Sequence, residues 1–170
     1  SSCAMALARS GVGRLVICDY DVLEGANLNR QYYFEKQAGK PKCEAIKENI
    51  EMACSDVTVE IHNVMLGPDN IPSLFSDCDI IVEAFDSMEM KEMLIRTVQM
   101  TMPGTPLIVG SGVAGWGNTG ALRCRKIDET LYVCGDETTE VSDELPALAP
   151  AVSIVANMQA DTVINILLNK

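Results

Sequence analysis

The sequence predicts a doubly wound α/β fold with a mostly parallel, Rossmann-like sheet, an antiparallel C-terminal extension and a closing helix. Three observations lead there. Short apolar runs alternate with stretches of helical periodicity through residue 113, and that order implies right-handed crossovers between parallel strands. Two of these runs lead into a carboxylate, Asp19 and Asp86, at the strand ends where open α/β sheets bind their ligands. After residue 120 the pattern changes to two short strand-like runs and one long apolar helix.

The elements follow in order. Residues 2–10 carry apolar side chains at 3, 4, 7 and 8, the spacing of one helical face, and Gly11 suits the position after its end. Residues 14–19 (RLVICD) have the pattern of a buried parallel strand. A polar loop spans 20–39, and a helix from about 40 to 53 places Cys43, Ile46, Ile50 and Ala53 on one face. Residues 57–64 alternate apolar and polar, as a strand near an edge does. A short helix at 71–75, a central strand over 79–85, a helix over 87–101 and a strand over 106–113 complete the alternation. The methionines at 88–102 recur at helical spacing and are expected in the core. Residues 121–127 and 131–135 are expected to pair antiparallel, 136–146 to form a mobile acidic loop, and 147–168 to close the domain.

Composition narrows the function. The 170 residues are 48% hydrophobic, enough for one packed core, and nothing divides them into two domains. Thirteen cationic residues face 24 acidic ones, a net charge of −11, which argues against broad nucleic-acid binding and against an anionic membrane surface. The cysteine count is odd, seven, with no C-x-x-C pair, as expected of free thiols in a reducing cytoplasm and not of a zinc site. No run reads as long enough to span a bilayer. The chain opens inside a helix, so the first strand and Gly-rich turn of such a fold are expected before Ser1. Gly11-Val12-Gly13 is not that turn, because it precedes a strand.

The chemistry concentrates in one stretch: Asp19-Tyr20-Asp21-Val22, then Asn27-Leu28-Asn29-Arg30-Gln31, then Gly39-Lys40-Pro41-Lys42. Two acids, amides, an arginine and lysines fall within one strand end, loop and helix start. An arginine forks onto phosphate oxygens, and a lysine places a point charge at a leaving pyrophosphate. Each residue alone reads equally well as a solvated loop position; the ordered combination does not.

These motifs, with the strand-end Asp86, resemble the ThiF/MoeB family, relatives of ubiquitin-activating enzymes. The short length and Tyr132-Val133-Cys134-Gly135-Asp136 are similar to a compact ThiF-like subgroup associated with thiamine-synthesis sulfur carriers. The resemblance implies ATP-dependent adenylation of the C-terminal carboxylate of a ubiquitin-like sulfur-carrier protein, by a homodimer. It implies that Asp19 holds the ribose hydroxyls, that Asp21 is among the nucleotide-binding residues, that Asn27, Arg30, Gln31 and Lys42 grip the triphosphate, and that Asp86 binds magnesium and orients the α-phosphate, with Asp86, Arg30 and Lys42 as the catalytic set. It further implies that the carrier tail passes Cys134, where a thiol could bond to it transiently; a passive strand thiol is the alternative. The sequence departs from the family where its Asp-Asn reads Asp86-Ser87 and where its zinc cysteines are missing. An NAD-dependent oxidoreductase and a non-catalytic carrier-binding scaffold stay open, the first also using a strand-end acid for ribose. His62 reads as a surface strand residue, and Trp116 as lining a carrier groove or a dimer contact.

Overall fold

A computed structural model describes residues 1–169. Helix α1 (Ser2–Arg9) buries Cys3, Met5, Leu7 and Ala8, and the chain leaves it through Gly11 at φ +86°, a left-handed turn that favours glycine. Strand β1 (Arg14–Cys18) follows, then helix α2 (Lys42–Ala53) and strand β2 (Thr58–His62), which pairs parallel to β1 with Arg14 opposite Thr58. Ile46 and Ile50 of α2 pack with Met5 and Val59 beneath this pair.

The second half builds its own sheet. After helix α3 (Ile71–Phe75) come strand β3 (Ile81–Val82), helix α4 (Met88–Thr101) and strand β4 (Leu107–Gly110). Ser87 caps α4, its Oγ accepting from the Met90 amide at 3.4 Å. A hairpin of β5 (Arg123–Lys126) and β6 (Leu131–Gly135) follows, and helix α5 (Ala149–Leu168) closes the chain. The sheet order is β3-β4-β6-β5, parallel except for the β5–β6 pair. Ile108, fully buried in β4, packs with Leu7 of α1 and Val155 and Val163 of α5. Burying each such side chain contributes on the order of 2 kcal/mol.

The two sheets are separate, since β1 and β3 do not pair. Arg14 spans them: one guanidinium nitrogen donates to Glu60 on β2 at 2.8 Å, the other to Asp77 ahead of β3 at 2.9 Å. With one edge unpaired, β1 is only partly buried, not the fully buried strand its apolar run predicts.

Three further expectations are corrected. The strand expected over 79–85 is two residues long, because the Glu83 carboxylate takes over a ladder bond, as described below. Met88 and Met100 are 72% and 75% exposed, since they fall on the outer face of α4 while Leu94, Thr97 and Val98 face inward. The acidic loop begins in a set of hydrogen bonds. Asp136 accepts from the amides of Thr138 and Thr139, both at 2.8 Å, and Arg125 forks onto Glu137 at 2.6 and 2.5 Å. Finally, α5 is by length and composition long and apolar enough to cross a bilayer. Its buried residues Ala151, Val155, Ala156, Ala160 and Val163 nevertheless pack in the domain core.

Candidate functional site

Asp19 follows β1 directly, its amide donating to the His62 carbonyl at 3.2 Å and so extending the β1–β2 pairing by one bond. Its Oδ1 accepts the Asp21 amide at 2.9 Å, a tight turn that brings both acids to the same strand end. Burial raises the Asp19 pKa, opposed by the Asp21 amide and by the charge of Lys42. Lys42, at the first position of α2, reaches Asp21 Oδ2 with Nζ at 2.6 Å, and its amide donates to the Asp21 carbonyl at 2.8 Å. One helix start, two carboxylates and a buried lysine thus meet where β1 ends.

The loop beyond Asp21 is folded, not extended. Asn27 Oδ1 accepts the Glu24 amide at 3.0 Å, and the Gln31 amide donates to the Asn27 carbonyl at 2.9 Å. Among the described residues Arg30 engages the protein through Nη1 alone, donating to Ala26 O and Asn29 Oδ1 at 3.1 and 2.8 Å. Its Nε and Nη2 hydrogens remain available to a ligand. The Tyr32 amide donates to Ser1 Oγ at 2.8 Å, and the Ala149 amide to the Asn29 carbonyl at 3.0 Å, so the loop is tied to both α1 and α5.

Asp86 lies on the turn between β3 and α4, exposed, and its side chain has no hydrogen bond or ion pair among the described residues. The structure therefore joins Asp19, Asp21 and Lys42 directly and sets Asn27, Arg30 and Gln31 on the adjoining loop. It leaves Asp86 on a separate turn. Among the described residues no three His, Cys, Asp or Glu side chains converge as a metal cage. A single free carboxylate suits magnesium, which keeps waters and phosphate oxygens as most of its ligands.

Cys134 is corrected. It is 0% exposed, its side chain in the core beside Cys3, Leu7 and Ile108, and burial pushes its thiol well above the ordinary range. A carrier tail cannot meet it without opening the core, so the packing alternative holds. His62 is half-buried and sits 2.8 Å from Glu60; Trp116 is 67% exposed.

Two further acids at the ends of strands were given no role by the sequence. Glu83 is a buried carboxylate bound to Lys91, and the signal was there: an acid inside an apolar run with a lysine eight positions on. Asp136 follows β6 as a third strand-end acid, shaped by a steric demand at Gly135. There φ is +142°, and an added Cβ would collide with the Ser111 carbonyl. Two clefts, of about 490 and 530 Å³, are open surface lined by Cys124, Tyr132 and Thr162 in one case and by Gln37, Lys40 and Glu48 in the other. Neither is lined by the strand-end acids, and the chemistry favours the β1 end over both.

A model of the ThiF family matches residues 1–170. The chain is 31% identical over 167 residues to the adenylyltransferase and sulfurtransferase MOCS3 of Caenorhabditis briggsae, covering 94% of this chain and 41% of that protein. It is 25% identical over 166 residues to the molybdopterin-synthase adenylyltransferase of Salmonella typhimurium, covering 95% of this chain and 66% of that one. Among solved structures, the E. coli tRNA N6-threonylcarbamoyladenosine dehydratase TcdA in complex with ATP superposes with a TM-score of 0.87 at 18% identity, over 99% of this chain and 81% of the other. The chain spans about two fifths of the length of the first two curated relatives, 41% and 38%. With the family model matched from end to end and the strand-end site in the arrangement described, this chain belongs to the ThiF family.

Proposed function

We propose that this chain is the nucleotide-binding core of an ATP-dependent adenylyltransferase. Its substrate is the C-terminal glycine carboxylate of a ubiquitin-like sulfur carrier of the thiamine-pathway type. The observation that carries the reading is the meeting of the α2 start, Asp19 and the Lys42–Asp21 pair at the end of β1. A helix start offers amides to phosphate, a carboxylate accepts from ribose hydroxyls, and a lysine neutralises a triphosphate. The names of the relatives, adenylyltransferases from worm and bacterium, support the same chemistry.

The reaction asks little covalent work of the protein. The carrier carboxylate is ionised at neutral pH and is itself the nucleophile. It attacks the α-phosphorus, a P–O bond to the β-phosphate breaks, and acyl-adenylate and pyrophosphate result. Lys42 holds charge near the departing pyrophosphate, exchanging part of its contact with Asp21 for phosphate oxygens. Arg30 adds the fork of its free Nε and Nη2. Bound magnesium supplies charge neutralisation at the phosphates, and Asp86 is the residue that would hold it. Positioning and charge account for catalysis of this kind.

The reading takes residues 1–170 as one nucleotide-binding unit. It also takes the protein as a cytoplasmic homodimer that binds neither membrane nor nucleic acid, in keeping with seven free thiols and a charge of −11. The loop arginine and Lys42 favour a triphosphate over NAD. Calorimetry on the full-length protein is the test: ATP with magnesium is expected to bind at least tenfold more tightly than NAD. The reverse order would favour the oxidoreductase reading.

A further inference from the structure

We infer that the buried Glu83–Lys91 pair is a positioning device, which sets where the chain leaves the sheet after β3 and so where Asp86 meets the nucleotide. The inference rests on the reading of the site proposed above.

The register of the β3–β4 ladder carries the argument. The Ile81 amide donates to the Pro106 carbonyl and the Glu83 amide to the Ile108 carbonyl, each at 2.9 Å. In a parallel ladder the next bond runs from the Gly110 amide to the Glu83 carbonyl. Here the Gly110 amide donates to the Glu83 side chain, Oε2, at 3.2 Å, and the Glu83 carbonyl accepts instead from Gln159 Nε2 of α5 at 2.9 Å. The side chain has taken the place of a backbone carbonyl. Its Oε1 accepts the Phe85 amide, which curls the chain away from the sheet one residue before Asp86.

Lys91 fixes the carboxylate from α4. Its Nζ is 2.7 Å from both carboxylate oxygens and 3.1 Å from the Phe85 carbonyl. All three ammonium hydrogens thus have acceptors within this turn. The Glu83 side chain is wholly buried and that of Lys91 is 13% exposed, so neither presents a free group to a ligand. One carboxylate joins the ends of β3 and β4, the turn bearing Asp86, and α4. A purely stabilising contact would be served as well by apolar side chains of similar volume. What the ion pair adds is a fixed direction for the turn.

The test is Mg·ATP binding by the full-length protein, compared with binding of ATP in the presence of chelator. Glu83→Gln/Lys91→Met removes both charges while keeping volume; Glu83→Asp keeps the charge but shortens the reach. In wild type we expect magnesium to strengthen ATP binding, and Asp86→Asn to reduce that gain by about tenfold. The Glu83→Gln/Lys91→Met variant should lose a similar part of the gain, with little change in binding of metal-free ATP. Adding Asp86→Asn to it should cost nothing more, because both changes act through one carboxylate. Amide exchange at Phe85 and Gly110 should quicken in the same variant. Should the double variant fail to fold, Glu83→Asp is expected to show the same loss of magnesium gain. A magnesium gain that survives in the folded Glu83 variants while Asp86→Asn loses it would overturn the inference and leave the site reading intact. Additive losses would overturn it equally. A wild type that binds no Mg·ATP would overturn the site reading, and this inference with it.

Discussion

Lys42 Nζ lies 2.6 Å from Asp21 Oδ2, with the lysine side chain 10% exposed and the aspartate 47%. The cation is held by the fold while its partner stays half open to water. Such a lysine is already aimed at the strand end and needs little reordering to meet a phosphate.

Replacing this cation tests the site. Lys42→Met is expected to reduce carrier-dependent ATP–pyrophosphate exchange by about a hundredfold, the scale of losing one major electrostatic stabiliser. Asp21→Asn should lower stability by no more than about 1 kcal/mol, because a half-exposed carboxylate contributes little through its ion pair. Unchanged exchange in Lys42→Met would place the triphosphate elsewhere.

Asp86→Ala should likewise lose exchange by about a hundredfold. Its melting temperature should stay within a degree or two of wild type, since the side chain is exposed and bonds to none of the described residues. A large fall in melting temperature would mark Asp86 as a structural residue.

The exit of β6 should weaken in acid. Burial tends to raise the Asp136 carboxyl, but the donors of Thr139 and Thr138 outweigh it and hold the group below its ordinary value. The Arg125 guanidinium does the same for Glu137, and the Thr130 and Leu131 amides for Asp128. With folded values lowered, the unfolded chain binds more protons. Their contribution is therefore present above the ordinary carboxylate range near pH 4 and is lost as pH falls through the lowered values. Hydrogen exchange at Leu131, Thr138 and Thr139 should quicken as pH drops below about 4, relative to intrinsic rates. Asp136→Asn should show this looser state at neutral pH.

Thiol labelling separates the two cysteines paired across the hairpin. Cys124 is exposed and should react in the native protein, whereas Cys134 should be protected until unfolding. Cys134→Ala is expected to cost about 1 kcal/mol for the small cavity and to keep exchange activity. Loss of exchange in a folded Cys134→Ala variant would return a chemical role to that thiol.

Local pattern was enough for the order of elements. The helical spacing in α1 and α2, the alternation over 57–64 and the apolar run of β4 each reflect one side chain's periodic exposure, which a sequence records directly. The Asp19 to Lys42 cluster was legible for the same reason, since its members lie within 24 residues on one strand end, loop and helix start.

Contacts between distant segments were not legible. The length of β3 depends on Gly110, 27 residues on, and on Gln159, 76 residues on, taking the bonds of Glu83. The burial of Cys134 depends on α1 and α5 closing over β6. The ion pair at the start of the acidic loop depends on Arg125 reaching Glu137 across a strand pair. Which elements form and which residues cluster at the first strand end follow from neighbours along the chain. Where a strand stops, which thiol is covered and how Asp86 is presented follow from the packed fold. Each of these is set by a hydrogen bond, an ion pair or a packing contact whose two sides are far apart in the chain.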